Sequence, residues 1–235
     1  MKIFIAGTDT DVGKTYITSC LSALLLQKGL HVGVIKWAGT GGAKNNPDIE
    51  YIVEQAARAN LGPGSRLSVS CPFNFSFPAS PHLAATLEGK QIEPGLILEE
   101  TEKMEKACDI VLIEGVGGLM VPLTLDLLLV DLLEKASCPV ALVARSGLGT
   151  INHTLLSAEA LKKRKIGLMA VVMNSIGLGA EPDSTDEKIV DDNCKTIAKL
   201  TGTNIYGPVP YTQDPLHKDV TNCLEPLVTQ ILEET

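Results

Sequence analysis

The chain has 235 residues and a formal net charge of −8, which argues against a nucleic acid or an anionic membrane as a partner, since both attract basic surfaces. With 45% hydrophobic residues it can form one sizeable core, and no apolar run approaches the roughly 18 residues that a membrane helix needs. Its six cysteines are scattered without metal-binding spacing, so we expect one cytoplasmic domain, residues 1–235, with reduced thiols.

Five apolar segments recur along the chain, and each is followed by a segment with helical spacing. The sequence predicts strands at KIFIA (2–6), HVGVIK (31–36), DIVLIE (109–114), CPVALVA (138–144) and GLMAVVM (167–173), with helices over about 14–29, 48–60, 126–136, 150–164 and 185–201. Strands that are apolar throughout are typical of parallel sheets buried on both faces. The alternation predicts an α/β fold, a doubly wound and mainly parallel sheet flanked by helices. Between the last strand and helix, GLGAEPDSTD (177–186) predicts a loop.

The first loop, GTDTDVGKT (7–15), joins the first predicted strand to the first predicted helix. The general phosphate-loop pattern would put a glycine at position 8, but that residue is Thr8 and the nearest glycine is Gly7. The strand–loop–helix context still predicts a phosphate loop, with backbone N–H groups around a polyphosphate. Lys14 would reach the β and γ phosphates and the Thr15 hydroxyl would bind Mg²⁺. The alternative is an ordinary turn with a chance Gly-Lys-Thr.

Further charged residues lie at the ends of the next strands. Lys36 ends the second strand and is either a solvated lysine or a ligand of the transferred phosphate. Glu114 ends a buried strand before a glycine-rich turn, where we expect a second anchor for Mg²⁺. Asp48 lies at a probable helix start and is either an N-cap or a metal ligand. Asp109 begins its strand, so it should lie at the opposite edge of the sheet in a structural role.

Taken together, these motifs resemble those of the dethiobiotin synthetases, a family of the P-loop NTPase superfamily. GTDTDVGKT is similar to that family's phosphate loop, including the extra residue after the glycine, and VIKWAGTGG resembles its lysine strand. PASPHLAA resembles its substrate-side loop and EGVGGLMVPL its metal and glycine loop. GLGTINHTLLSAEAL resembles its dimer-side helix start, VVMNS its adenine-side strand and YGPVPY its last base-contacting turn. The stretches occur in order from residue 3 to about 211.

The resemblance implies an ATP-dependent cyclo-ligase of biotin synthesis that acts as a homodimer. ATP, Mg²⁺, CO₂ and 7,8-diaminopelargonate would give dethiobiotin, ADP and phosphate through a carbamate and a carbamic-phosphoric anhydride. Such chemistry relies mainly on positioning and on neutralising phosphate charge. Lys14 and Lys36 would be the catalytic residues, and Thr15, Asp48 and Glu114 would hold Mg²⁺.

The resemblance also assigns the remaining ligand contacts. The nucleotide would be bound by Asp9, Thr10, Asp11, Val12, Gly13, Lys14, Thr15, Tyr16, Glu114, Gly117, Asn174, Pro208, Val209 and Pro210. The diaminopelargonate would be bound by Thr10, Lys36, Thr40 and Gly117, and across the dimer by Gly149, Thr150 and Asn152.

Two positions depart from the family pattern. Trp37 stands where the family usually has proline, and Asp11 stands where some members have glutamate.

Two other functions stay open. One alternative is a related amide-forming enzyme similar to cobyrinate diamide synthase, although the complete chain of that family carries an additional glutamine-amidotransferase half. The other is an ATPase switch similar to ParA and MinD, but such switches have a lysine at the position of Asp9.

Overall fold

The computed structural model describes residues 1–42, 45–62, 64–175 and 184–233. Its strands are β1 (Lys2–Gly7), β2 (His31–Lys36), β3 (Gly39–Thr40), β4 (Arg66–Ser70), β5 (Asn74–Phe75), β6 (Ile110–Gly118), β7 (Pro122–Thr124), β8 (Leu127–Leu128), β9 (Val140–Arg145), β10 (Leu168–Asn174) and β11 (Asn204–Val209). Its helices are α1 (Lys14–Gln27), α2 (Pro47–Arg58), α3 (Pro81–Leu87), α4 (Pro94–Ala107), α5 (Leu129–Ala136), α6 (Thr150–Lys163), α7 (Ser184–Thr201) and α8 (Lys218–Glu233).

A seven-stranded sheet forms the centre of the fold, in the order β11-β10-β9-β1-β6-β2-β4. Each pair of neighbouring strands in it is parallel. Along β1, Phe4 packs into a core cluster with α4, α5, α6 and α7, whereas Ile3 and Ile5 pack into a second cluster with α1, α2 and α8. Successive strand residues point to opposite faces, so helices cover both sides of the sheet. The predicted doubly wound α/β fold is confirmed.

The predicted strands and helices are present, and the differences lie at their ends. Strand β6 runs on to Gly118, which pairs with Gly7 of β1, so the glycines after Glu114 belong to a strand and not to a turn. The helix predicted from 126 begins at Leu129. Of the loop predicted over 177–186, residues 177–183 lie outside the described residues and the last three already belong to α7.

The two edge strands, β4 and β11, were not predicted. Their side chains are largely half-buried or exposed, so neither segment has the continuous apolar pattern of the central strands. Within the described ranges, no helix combines the length and apolar character needed to cross a membrane. All six cysteines are free thiols.

Candidate active site

The phosphate loop leaves β1 at the carboxyl edge of the sheet and enters α1 through a left-handed residue. Gly13 is the N-cap of α1 with φ 88°, and Asp11 is also left-handed with φ 56°. Aspartate tolerates this conformation better than most residues, so the backbone gives Asp11 a local role in shaping the loop. The exposed carboxylate of Asp9 accepts a hydrogen bond from the Thr10 N–H at 2.7 Å.

Lys14 folds back over the start of the same loop. Its ammonium is buried and donates to the Asp9 carbonyl oxygen at 2.9 Å. A Cβ atom placed on Gly7 would lie 2.7 Å from Lys14 Nζ and 2.9 Å from the Asp9 carbonyl oxygen. The close approach in this loop therefore falls on the glycine at position 7, one residue before the position that the general pattern gives.

A buried ion cluster lies beside the loop, where β2 and β6 run next to each other. Lys36 and Glu114 are paired in register across these strands, and Lys36 Nζ is 2.6 Å from Glu114 Oε1. The same ammonium lies 2.5 Å from Asp48 Oδ2. The Thr15 hydroxyl contacts both carboxylates, at 3.0 Å from Asp48 Oδ1 and 2.8 Å from Glu114 Oε1. The three predicted metal ligands and the second lysine thus form one cluster.

The two lysines of this edge have opposite pKa shifts. Burial, followed by the neighbouring charge of Lys36, lowers the pKa of Lys14 to about 8. Burial also acts to lower the pKa of Lys36, but the carboxylates of Glu114 and Asp48 outweigh it and raise that pKa above the ordinary lysine value. Lys36 therefore keeps its charge over the whole physiological range, whereas Lys14 titrates just above it.

The structure excludes one of the two interpretations of Asp48. The N-cap of α2 is Asn46, whose side-chain oxygen accepts from the backbone N–H groups of Asp48 and Ile49, both at 3.1 Å. The cap interpretation of Asp48 is wrong, because Asn46 already fills that role and leaves the Asp48 carboxylate for the ion cluster. Asp109 lies at the opposite edge and accepts from the His31 N–H at 2.7 Å, as predicted for a structural residue.

Trp37 holds the chain directly after Lys36. Its side chain is fully buried, its indole N–H donates to Thr101 Oγ1 at 3.1 Å, and its ring meets Phe4 edge-on at a centroid distance of 4.8 Å. Its backbone N–H donates to the Glu114 carbonyl oxygen at 3.3 Å. Packing and hydrogen bonding of Trp37 therefore fix the backbone at the end of β2. In family members with proline at this position, the proline ring would restrict the same backbone.

The phosphate loop and the ion cluster open into one cavity of about 280 Å³. It is lined by Thr10, Asp11, Gly13, Lys14, Thr15, Lys36, Thr40, Asp48, Val116 and Gly117. Thr40 and Gly117, which the sequence assigned to the substrate, thus share a space with the two lysines. A Cβ atom on Gly117 would lie 2.8 Å from Val121 Cγ2, and this glycine has φ 61°, so the left-handed backbone near the end of β6 depends on it.

A second cavity of about 400 Å³ shares Thr10 with the first. Its lining includes Met120, Val121 and Leu156, and it reaches α6. Gly149 is the N-cap of α6, Thr150 begins this helix and Asn152 is exposed on it, and none of the three lines the 280 Å³ cavity. Their predicted contact with a substrate bound to a partner subunit stays a prediction.

The predicted base-binding residues lie at the ends of β10 and β11. Asn174 is fully buried and its amide donates to the Val12 carbonyl oxygen at 3.0 Å, while its own Oδ1 is buried without a hydrogen-bond partner among the residues that the structure describes. Asn174 pairs in register with Val209, and Pro208 and Pro210 flank that residue. The orphaned amide oxygen is an acceptor next to the phosphate loop, which suits the amino group of a purine base.

Two residues at this edge were not predicted from the sequence. Val116 lines the first cavity, and Arg145 donates to Asp9 Oδ2 at 3.3 Å. Arg145 ends β9 next to β1, so its position at the end of a buried strand was the available signal. The ion pair occupies the Asp9 carboxylate and ties β9 to the phosphate loop.

Comparison with known proteins gives the family. Residues 1–216 match the family model described as an AAA domain, AAA_26. The "ATP-dependent dethiobiotin synthetase BioD" of Halalkalibacterium halodurans is 38% identical over 215 residues, which cover 91% of this chain and 86% of that protein. The chain belongs to the dethiobiotin synthetase family. The protein of the same name from Chlorobaculum tepidum is 38% identical over 206 residues, covering 88% of this chain and 83% of that protein. The family resemblance predicted from the motifs is therefore confirmed.

Solved structures with the same fold include a cell-division ATPase. The MinC:MinD complex of Aquifex aeolicus matches with a TM-score of 0.64 at 14% identity, covering 100% of this chain and 96% of that one. At such low identity the likeness concerns the fold alone. It agrees with membership of the P-loop superfamily and carries no information about activity.

Proposed function

We propose that this chain is an ATP-dependent dethiobiotin synthetase, a ligase that forms C–N bonds in biotin biosynthesis. The observation that carries the proposal is the single cavity in which Lys14 of the phosphate loop lies with Lys36 and its carboxylate partners. A phosphate loop alone serves many reactions, but a second buried lysine at the transfer site suits a reaction with an anionic nucleophile. The relatives, at 32–39% identity, support the same activity.

The reaction would proceed in three steps. One amine of 7,8-diaminopelargonate attacks CO₂, forming an N–C bond and releasing a proton to give a carbamate. A carbamate oxygen attacks the γ-phosphorus of ATP, and the bond to the ADP oxygen breaks. The second amine then attacks the carbonyl carbon of the mixed anhydride, loses its proton and expels phosphate, which closes the ureido ring. Lys14 and Lys36 provide positive charge for the transferred phosphoryl group and the carbamate.

The donor set fits a magnesium ion. Thr15, Asp48 and Glu114 present one hydroxyl and two carboxylates, which are the oxygen ligands that Mg²⁺ prefers. Within the described part of the chain, Glu114 Oε2 is buried and has no hydrogen-bond partner, so this oxygen has an unused acceptor position there. A bound Mg²⁺ would neutralise charge on the β and γ phosphates. Lys36 forms ion pairs with both carboxylates, and a divalent cation would release its ammonium for the substrate.

The second cavity suits the hydrocarbon part of diaminopelargonate. It adjoins the first cavity at Thr10, and the apolar residues in its lining come from the β6–β7 connection and from α6. Two of them, Met120 and Leu156, expose 55% and 62% of their surface. Such exposed apolar residues favour burial against another subunit. We therefore propose a homodimer in which Gly149, Thr150 and Asn152 of one subunit bind the substrate carboxylate of the other.

The proposal extends to the cell compartment and the organisation of the chain. Six free cysteines suit the reducing cytoplasm, where the nucleotide is also available. We propose that residues 1–235 act as one ATP-binding domain there. Pro208, Val209 and Pro210 would line the base site, and Asn174 would accept a hydrogen bond from adenine.

The test is direct product formation. The purified protein is incubated with ATP, Mg²⁺, bicarbonate and 7,8-diaminopelargonate, and dethiobiotin is measured by mass spectrometry. We expect product that depends on each component, and a loss of turnover by orders of magnitude in Lys14→Ala and in Lys36→Ala. Lys195→Ala, which removes an exposed lysine on α7, is the matched control and should retain full turnover. ATP hydrolysis without dethiobiotin would instead favour an ATPase switch.

A further inference from the structure

The hydroxyl of Tyr16 joins two distant parts of the nucleotide site. Tyr16 lies on the first turn of α1, directly after Lys14 and Thr15, and only 5% of its surface is exposed. Its hydroxyl donates to the Pro210 carbonyl oxygen at 2.7 Å and accepts from the Thr212 N–H at 3.1 Å. We name residues 208–212, the last two residues of β11 and the three that follow, the base turn. Tyr16 thus connects the phosphate loop to the base turn across 194 residues of chain.

The composition of the base turn makes this connection important. Pro208 and Pro210 have no backbone N–H, so two of its five residues cannot donate a backbone hydrogen bond. The Ser175 N–H donates to the Val209 carbonyl oxygen at 3.0 Å, which holds the first half of the turn against β10. The second half contacts Tyr16, through the Pro210 oxygen and the Thr212 N–H.

An aromatic contact strengthens the same connection. The ring of Tyr211 packs against the ring of Tyr16 with centroids 5.2 Å apart, although 62% of the Tyr211 surface is exposed. The buried ring of Tyr16 therefore supports the exposed ring of Tyr211 in the base turn. Because Tyr16 packs in the cluster formed by α1 and α8, its ring has little freedom to move away.

We propose that Tyr16 is a positioning residue whose hydroxyl fixes the base turn relative to the phosphate loop and so determines how strongly the nucleotide base is bound. The inference rests on the proposed function, because it assumes that the turn contacts the base of ATP. Without the hydroxyl, the second half of the turn adopts the binding-competent conformation for a smaller fraction of the time. The apparent affinity falls by that fraction. The phosphate groups, which bind at the other end of Tyr16, keep their contacts.

The test separates the base from the phosphates. Dissociation constants of ATP and of inorganic tripolyphosphate are measured by calorimetry for the wild type and for Tyr16→Phe, without diaminopelargonate. Loss of two hydrogen bonds to the turn should weaken ATP binding about tenfold and change tripolyphosphate binding by less than about twofold. Ser22→Ala is the matched control, since it removes a buried hydroxyl of the same helix that donates to the Thr18 carbonyl oxygen at 2.7 Å, and both affinities should stay unchanged.

A second variant tests the same contact from the other side. Thr212→Pro removes the backbone N–H that donates to the Tyr16 hydroxyl and leaves α1 unchanged. This variant should therefore also weaken the binding of ATP and not that of tripolyphosphate. If the binding of ATP and of tripolyphosphate were weakened equally, Tyr16 would act on the phosphate loop. If the affinity for ATP were unchanged, the hydroxyl would be dispensable. Either result overturns the inference. Since neither ligand needs the second substrate, absence of dethiobiotin formation would refute the proposed function, while the two affinities still decide the role of Tyr16.

Discussion

Binding of a triphosphate should be accompanied by uptake of a proton above pH 8, and the group responsible should be Lys14. In the free protein, burial and the charge of Lys36 lower the pKa of Lys14 to about 8 from an ordinary value of 10.5. Triphosphate oxygens next to the amine favour its charged form and raise this pKa again. The amine that is neutral in the free protein therefore becomes an ammonium in the complex, and the proton comes from the buffer.

The size of the effect follows from the two pKa values. At pH 8.5, a group with a pKa of about 8 is about 75% neutral, so binding should take up about 0.7 proton. At pH 6.5 the same group is only about 3% neutral, and uptake by Lys14 should be close to zero. A lysine with the ordinary pKa of 10.5 would be about 1% neutral at pH 8.5. The terminal phosphate, with a pKa of about 6, holds no proton at pH 8.5 and does not obscure the signal.

The assay is calorimetry of ATP binding with Mg²⁺ but without diaminopelargonate, so that no turnover occurs. The binding enthalpy is measured at pH 8.5 in buffers of different ionisation enthalpy, and its slope gives the number of protons taken up. Lys14→Arg is the matched control: arginine stays charged at this pH, so the uptake should disappear even where binding persists. An uptake below about 0.2 proton in the wild type, or an equal uptake in Lys14→Arg, would refute the assignment to Lys14.

Two further predictions concern the cation cluster and its support. Lys36→Met should raise the affinity for Mn²⁺ in the absence of nucleotide, because Asp48 and Glu114 lose the ammonium with which they form ion pairs. Electron paramagnetic resonance measures this affinity, and Lys195→Met is the control. An unchanged affinity would contradict a shared site. Trp37→Phe should lower the free energy of unfolding by about 1–3 kcal/mol in urea titrations, since it loses buried volume and leaves Thr101 Oγ1 without its indole donor. A smaller loss would mean that the site around Trp37 repacks.

The positions of the site residues at the ends of strands could be predicted from the sequence, whereas their mutual contacts could not. Lys36 and Glu114 each follow a buried apolar segment, and parallel strands bring such ends to one edge. Their direct pairing depends on β2 lying next to β6 in register, which no local pattern specifies. Asp48 illustrates the same limit: its position near a helix start permits a cap or a ligand, and the cap is excluded by the contacts of Asn46, which the sequence does not show.

Long-range contacts and edge elements account for the rest. The hydroxyl of Tyr16 meets residues of the base turn that are 194 and 196 positions away along the chain, so local sequence carries no signal for the contact. Strands β4 and β11 have mixed burial because each has only one neighbouring strand, and the continuous apolar pattern used to identify the central strands is absent from them. The close approach of Lys14 to Gly7 likewise depends on the path of the folded loop, which the sequence pattern does not show.

The charges at the carboxyl edge explain how a buried site of this kind can exist before any ligand binds. Lys14 and Lys36 provide two potential positive charges, and Asp48 and Glu114 provide two negative ones within the same cavity or directly against it. A fully buried carboxylate such as that of Glu114 would be costly alone, and Lys36 at 2.6 Å compensates it. A magnesium triphosphate brings charges of both signs, so binding exchanges partners among ions that are already desolvated. The cluster therefore keeps the site in place without ligand, and above pH 8, where Lys14 is partly neutral, its charge state changes when the phosphates bind.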